Sequence, residues 1–216
     1  MAGRALVTGF EPFGGEPRNP SLETARALDG RRIGGLDVVG RILPVSLAAL
    51  PAALDELLAD VRPDLVLSLG LAGGATALRL ERFGVNLADF DMPDNDGTIT
   101  RDRKLVPDGP AAVAATLPLD TIERALLAAG IPAAPSNSAG TYLCNALIYH
   151  LVYHLGLAAR DGRGPVLFGF VHVPYLPEQV AARRDRVAEP APSMALDAMI
   201  RAAEIAIEVA GRPAAA

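Results

Sequence analysis

Apolar residues in this 216-residue chain fall into short runs separated by glycine, proline and charged turns. The run Ala5–Gly9 stops at a glycine and predicts a buried strand. After a Gly/Pro loop, Pro20 and Ser21 open a helix carrying Leu22, Ala25 and Leu28, which Gly30 ends. Leu36–Leu43 predicts a second strand, Leu47–Val61 an amphipathic helix and Leu65–Leu69 a third strand. Leu78–Leu87 is strand-like, with Leu78 and Leu80 on one parity and Glu81, Phe83, Val85 and Leu87 on the other. Residues 92–110 read as a long loop, Ala111–Leu117 as a strand and Thr121–Gly130 as a helix with a glycine stop. Tyr142–Leu155 predicts a helix. Val166–Val173 has no polar residue until His172 and reads as a strand buried on both faces. Met194–Ala210 is a closing amphipathic helix. Alternating strands and helices predict a three-layer α/β/α sandwich around a mostly parallel twisted sheet. A single domain is expected over 1–216, with 211–216 as a disordered tail.

Composition narrows the possibilities. Half of the residues are hydrophobic and 21% are charged, which suits a globular domain. The net charge of −5 argues against a nucleic-acid binder. One cysteine excludes an internal disulfide framework and points to a reducing compartment. The N-terminus lacks the apolar segment of a secretion signal. The longest apolar run, Ile42–Leu54, is broken by Pro44 and Pro51 and is too short to span a bilayer. The expectation is a soluble cytoplasmic protein with no membrane or nucleic-acid partner.

The lone cysteine, Cys144, stands between a Ser/Gly/Thr turn and an apolar helix. Free cysteine is often just a small buried hydrophobe. A helix start changes that reading, because its unpaired N–H groups and positive dipole end favour a thiolate and can hold an oxyanion. A nucleophile needs a base. His150 and His154 lie on the same helix, about 9 and 15 Å further along its axis, and cannot reach Cys144. Their four-residue spacing could suit a metal, but the glutamate of an HExxH motif is absent, so they read as packing or interface residues. His172 remains, near the carboxyl end of the most apolar strand, where open α/β sheets bind ligands. Glu81 is a candidate to orient that imidazole, with a salt bridge to Arg79 or Arg82 as the alternative. A different reading makes the chain a non-catalytic binding domain that uses GLAGGA (70–75) as a phosphate loop. That run follows a strand but matches neither GxGxxG nor the P-loop.

Several blocks, in one order, carry a resemblance. They are VTGFEPFGG (7–15) with NPS (19–21), LERFGVN (80–86), MPDNDG (92–97), DGPAA (108–112), SNSAGTYLCN (136–145) and FVHVPYLPEQ (170–179). The chain resembles the pyrrolidone-carboxylate peptidase (pyroglutamyl peptidase I) family, cysteine peptidases that remove an N-terminal pyroglutamyl residue. The resemblance implies a catalytic triad of Cys144, His172 and Glu81. It implies that Phe10 and Phe13 hold the substrate ring, that Tyr142 and Met92 line the same pocket, and that Asn19 offers a polar contact. Leu71 and Leu143 complete the implied substrate-binding set. It further implies no cofactor or metal, pyroglutamyl peptides as substrates, and a homo-oligomer (dimer or tetramer). Two positions depart from the family pattern: Leu71 where glutamine is usual, and Asp91 where arginine is usual. These departures keep open a second enzymatic reading, a thiol-dependent hydrolase of another small N-acyl or lactam substrate.

Overall fold

The computed structural model describes residues 3–160, 165–182 and 191–211. In chain order the elements are β1 (Arg4–Phe10), α1 (Pro20–Leu28), β2 (Arg32–Ile33), β3 (Leu36–Leu43), α2 (Leu50–Val61), β4 (Leu65–Leu71), β5 (Leu78–Glu81), β6 (Phe83–Val85), β7 (Ala88–Phe90), β8 (Thr100–Arg103), β9 (Ala112–Ala114), α3 (Leu119–Ala128), β10 (Ala133–Ser136), α4 (Leu143–Arg160), β11 (Leu167–Val173), α5 (Pro177–Ala181) and α6 (Leu196–Ala210). Among the described residues, seven strands form the central sheet in the order β10-β5-β11-β4-β1-β3-β2. The inner strands β11, β4, β1 and β3 are parallel. β5 runs antiparallel to β11, with β10 parallel to β5, and β2 closes the other edge antiparallel to β3. The chain is thus the expected α/β sandwich, mostly parallel with antiparallel margins.

The two-residue period of the strands sorts their side chains between two cores. On one face Ala5, Val7, Leu65, Leu67, Leu78 and Leu80 pack with α1, α3 and α6. On the other, Leu6, Phe10, Val66, Phe168 and Phe170 pack with α2 and α4. Fully burying one such Leu or Phe contributes about 1.5–3 kcal/mol. On that second face the hydroxyl of Thr8 donates to Ser68 at 2.8 Å, so the polar side chains beneath the site satisfy each other.

Three expectations need correction. Leu78–Leu87 is not one strand: β5 ends at Glu81, and β6 leaves the central sheet to pair with β9. Phe83 is therefore exposed, at 41%, rather than sharing a buried face with Glu81. The long loop 92–110 contains β8, which pairs with β7. α2 starts at Leu50, not Leu47, because residues 47–49 form a turn before the helix. Of the expected tail, residues 212–216 lie outside the described residues.

Candidate active site

The site forms where α4 begins, above the carboxyl ends of β4 and β11. Cys144 is the second residue of α4 and is half-buried. The first helical turn has N–H groups without intrahelical acceptors. Several contacts fix its position. The Thr141 hydroxyl donates to the Asp89 carbonyl at 2.5 Å, and the Asp89 N–H donates back to Thr141 at 3.2 Å. The Tyr142 hydroxyl donates to the Pro93 carbonyl at 3.1 Å. The buried Asn145 amide accepts from the Val85 N–H at 2.8 Å and donates to the carbonyls of Val85 and Leu87 at 3.0 and 2.8 Å. These bonds tie the helix start to residues 85–93. Beneath it, Gly70 leaves room for the thiol. A Cβ at Gly70 would lie 2.8 Å from the Cys144 Sγ and 2.7 Å from the Phe170 ring.

His172 and Glu81 point to this same face. They stand on adjacent antiparallel strands, β11 and β5, and both are buried, at 6% and 0% exposure. The His172 Nδ1–H donates to Glu81 Oε1 at 2.8 Å. That leaves Nε2 free to face Cys144, which borders the same cleft. Burial alone would lower the proton affinity of His172 and is the largest influence on it. The charge and hydrogen bond of Cys144, then those of Glu81, outweigh it and raise His172 from 6.5 to about 9. Glu81 Oε2 is buried without a hydrogen-bond partner. The expected alternative, a Glu81 salt bridge to Arg79 or Arg82, does not form. Arg82 instead approaches Asn137 at 3.3 Å and Asp120 at 3.7 Å.

Cys144 and His172 open onto a cleft of about 530 Å³. Its aromatic wall is Phe13, Phe90 and Tyr142. Tyr142 meets Phe90 edge-on at 4.7 Å between ring centroids, and Phe13 lies 6.0 Å away. Burial, with the negative charges of Asp94 and Cys144, raises the Tyr142 phenol to about 12, so it stays a donor to Pro93. Of the expected substrate-binding residues, Phe13, Leu71, Met92 and Tyr142 line the cleft. Phe10, Asn19 and Leu143 do not. Phe10 shares the inward parity of Leu6 and is buried in the core beneath, as is Leu143. Asn19 is spent as the cap of α1: its Oδ1 accepts from the Ser21 N–H at 3.1 Å, and its Nδ2 donates to the Glu11 carbonyl at 3.0 Å. Phe90, Arg79 and Tyr175 line the cleft without having been picked from sequence. Asp91 reaches the cleft, but its exposed carboxylate pairs with Arg101 at 3.2 Å.

The other candidates separate from this site. His154 Nδ1 lies 3.0 Å from Asp55 Oδ1 on α2, and the His150 ring packs between Tyr149 and His154. Among the described residues no cluster of three or more His, Cys, Asp or Glu could hold a metal. The glycine run 70–75 leads through a turn into β5, not into a helix. A phosphate there would lack the helix N-terminus that such loops use.

A thiol at a helix start, an imidazole beside it in the same cleft and a carboxylate behind the imidazole form a nucleophile, base and orienting group suited to acyl transfer. The comparisons agree with that class. A family model for pyroglutamyl peptidase matches residues 3–213, and the chain belongs to that family. A pyrrolidone-carboxylate peptidase from Pyrococcus furiosus is 44% identical over 207 residues, covering 96% of this chain and 97% of its own. Pyrrolidone-carboxylate peptidase 2 from Photorhabdus laumondii is 47% identical over 209 residues, covering 95% and 90%. The crystal structure of a mutant pyrrolidone carboxyl peptidase from P. furiosus superposes with a TM-score of 0.91 at 42% identity, covering 96% and 97%.

Proposed function

We propose that this chain is a cysteine peptidase that hydrolyses the amide bond after an N-terminal pyroglutamyl residue. The observation that carries the reading is one linked set, Cys144 to His172 to Glu81, open to an aromatic-walled cleft. The Cys144 sulfur attacks the pyroglutamyl carbonyl carbon. Free N–H groups in the first turn of α4 hold the oxygen that becomes negative. His172 gives its proton to the leaving amine as the C–N bond breaks, which frees the shortened peptide and leaves a pyroglutamyl thioester. Water then attacks the thioester while His172 takes its proton, and pyroglutamate leaves. Glu81 holds the imidazole with Nδ1 protonated and Nε2 facing sulfur. The flat lactam ring suits the wall formed by Phe13, Phe90 and Tyr142.

The test is release of an amine reporter from pyroglutamyl-, prolyl- and acetyl-linked substrates in parallel. Cleavage of the pyroglutamyl substrate alone supports the reading. Preference for the acetyl substrate would favour the wider N-acyl hydrolase, which Leu71 and Asp91 keep in view. The same proposal includes a single catalytic domain over the chain, a cytoplasmic setting and a homo-oligomer. The lone cysteine supports the setting. No described helix is long and apolar enough to cross a membrane. The oligomer rests on the family alone, and sedimentation of the purified chain tests it.

A further inference from the structure

Arg79 is a charge that the catalytic proposal leaves unused. It stands on β5 directly opposite His172 of β11 in the antiparallel register. Opposite residues in such a pair place their side chains on one face, about 4.5–5.5 Å apart at Cβ. Arg79 therefore rises beside the imidazole, is exposed, and lines the cleft. Among the described residues its guanidinium has no ion pair or hydrogen bond, unlike those of Arg82 and Arg101, which have acidic neighbours. The influences on the His172 proton affinity are burial, Cys144 and Glu81, and Arg79 is not one of them.

The strand order places Arg79 relative to the reacting pair. Phe13 follows β1, and Leu71 ends β4. β5 lies on the other side of β11 from both. The reacting pair thus has Phe13 and Leu71 on one side and Arg79 on the other. A pyroglutamyl ring seated on Phe13 and Leu71 would direct the leaving amine, and the residue that carries it, toward Arg79. Of the other charges in the cleft, the Asp91 carboxylate faces Arg101, and the Glu16 carboxylate meets Gln179 at 3.2 Å. Among the described residues that line the cleft, Arg79 is the cation left to meet a substrate.

We propose that Arg79 is a specificity-determining residue that favours pyroglutamyl peptides whose next residue carries a negative charge, an aspartate or glutamate side chain. This rests on the pyroglutamyl peptidase reading above and extends it to the leaving side of the bond.

The test uses three amidated peptides that differ only in the residue after pyroglutamate: Glu, Gln or Lys. The wild type should cleave the Glu peptide with a kcat/KM about fivefold above that of the Gln peptide, carried in KM, as suits an exposed ion pair. The ratio should shrink toward one as salt rises, because the charges are exposed. Arg79→Gln should abolish the preference, Arg79→Lys should keep it, and Arg79→Glu should turn it toward the Lys peptide. Normal cleavage of all three peptides with one shared kcat/KM would overturn the proposal and leave the activity reading standing. So would an Arg79→Gln variant that loses kcat equally on every peptide with a shifted pH profile, which would place Arg79's action on Cys144 and His172. Failure to cleave any of the three would overturn the activity reading, and this proposal with it.

Discussion

His172 and His150 are both buried imidazoles, at 6% and 7% exposure. Burial pushes the proton affinity of each downward. They nevertheless end on opposite sides of the ordinary value. His150 is lowered, because desolvation dominates and His154 adds a like charge that Asp55 only partly offsets. Its Nδ1 has no hydrogen-bond partner. His172 is raised to about 9, because the influences of Cys144 and Glu81 outweigh its burial. Burial is therefore common to the packing histidine and the site histidine. The partners built around the ring decide which one holds a proton at neutral pH.

The strongest way to break this contrast is Cys144→Ser. Turnover should vanish, because no other thiol exists, while the fold persists. The His172 proton affinity should fall from about 9 as the sulfur's charge is lost, which NMR titration of the imidazole would read. Full activity in this variant would remove Cys144 from the chemistry.

Glu81→Gln should come next. An amide can present its N–H to Nδ1 and hold the wrong tautomer, so kcat/KM should drop about 10²–10⁴-fold with little change in KM. An unchanged kcat would make Glu81 a structural residue only.

Gly70→Ala tests the space beneath the sulfur. The added methyl meets Sγ and Phe170 below 3.0 Å, so stability should fall by about 1–3 kcal/mol and kcat with it. An urea melt and a rate measurement on the same preparation would separate the two effects.

The effect expected to touch activity least concerns pH and stability. A proton affinity raised on folding stabilises the protein fully below the unfolded value, 6.5, and the contribution disappears as pH rises through about 9. The midpoint of unfolding should therefore decline across that interval in the wild type. The decline should flatten in Cys144→Ser. His150, whose shift is downward, should add an opposite slope: stability lost as pH falls through 6.5 and below. Equal slopes in wild type and Cys144→Ser would show that the sulfur does not hold the His172 proton.

Much of this arrangement was legible in the chain. The apolar run ending at His172 marks a central strand, and the small-residue turn before Cys144 marks a helix start. Glu81 was singled out partly by a parity argument that fails after Arg82, where the strand leaves the sheet, and the structure sets it against His172. Asn19 had a local signal that pointed elsewhere: Asn before Pro at a helix start is a cap, and the structure uses it as one. Phe10 shares parity with Leu6 in a central strand, so only Phe13, in the loop beyond, is free to reach the cleft. Short edge elements were missed for a physical reason. β8 reads Thr-Arg-Asp-Arg and β10 contains Pro135, so their pairing depends on neighbours supplied by the fold rather than on local pattern.

The Asn145 amide that ties α4 to Val85 and Leu87 has a consequence in time. It joins residues 60 and 58 positions apart, and the Glu81–His172 bond spans 91. Contacts this distant form late, after loop closure has cost most of its entropy. A partly folded or still-growing chain can hold helix α4 and its thiol, yet it has no strand β11 to complete the pair. Peptidase activity should then return after helicity when the denatured chain refolds, with the lag measured by following circular dichroism and substrate turnover together. The reactive sulfur would stay dormant until the molecule that must contain it is finished.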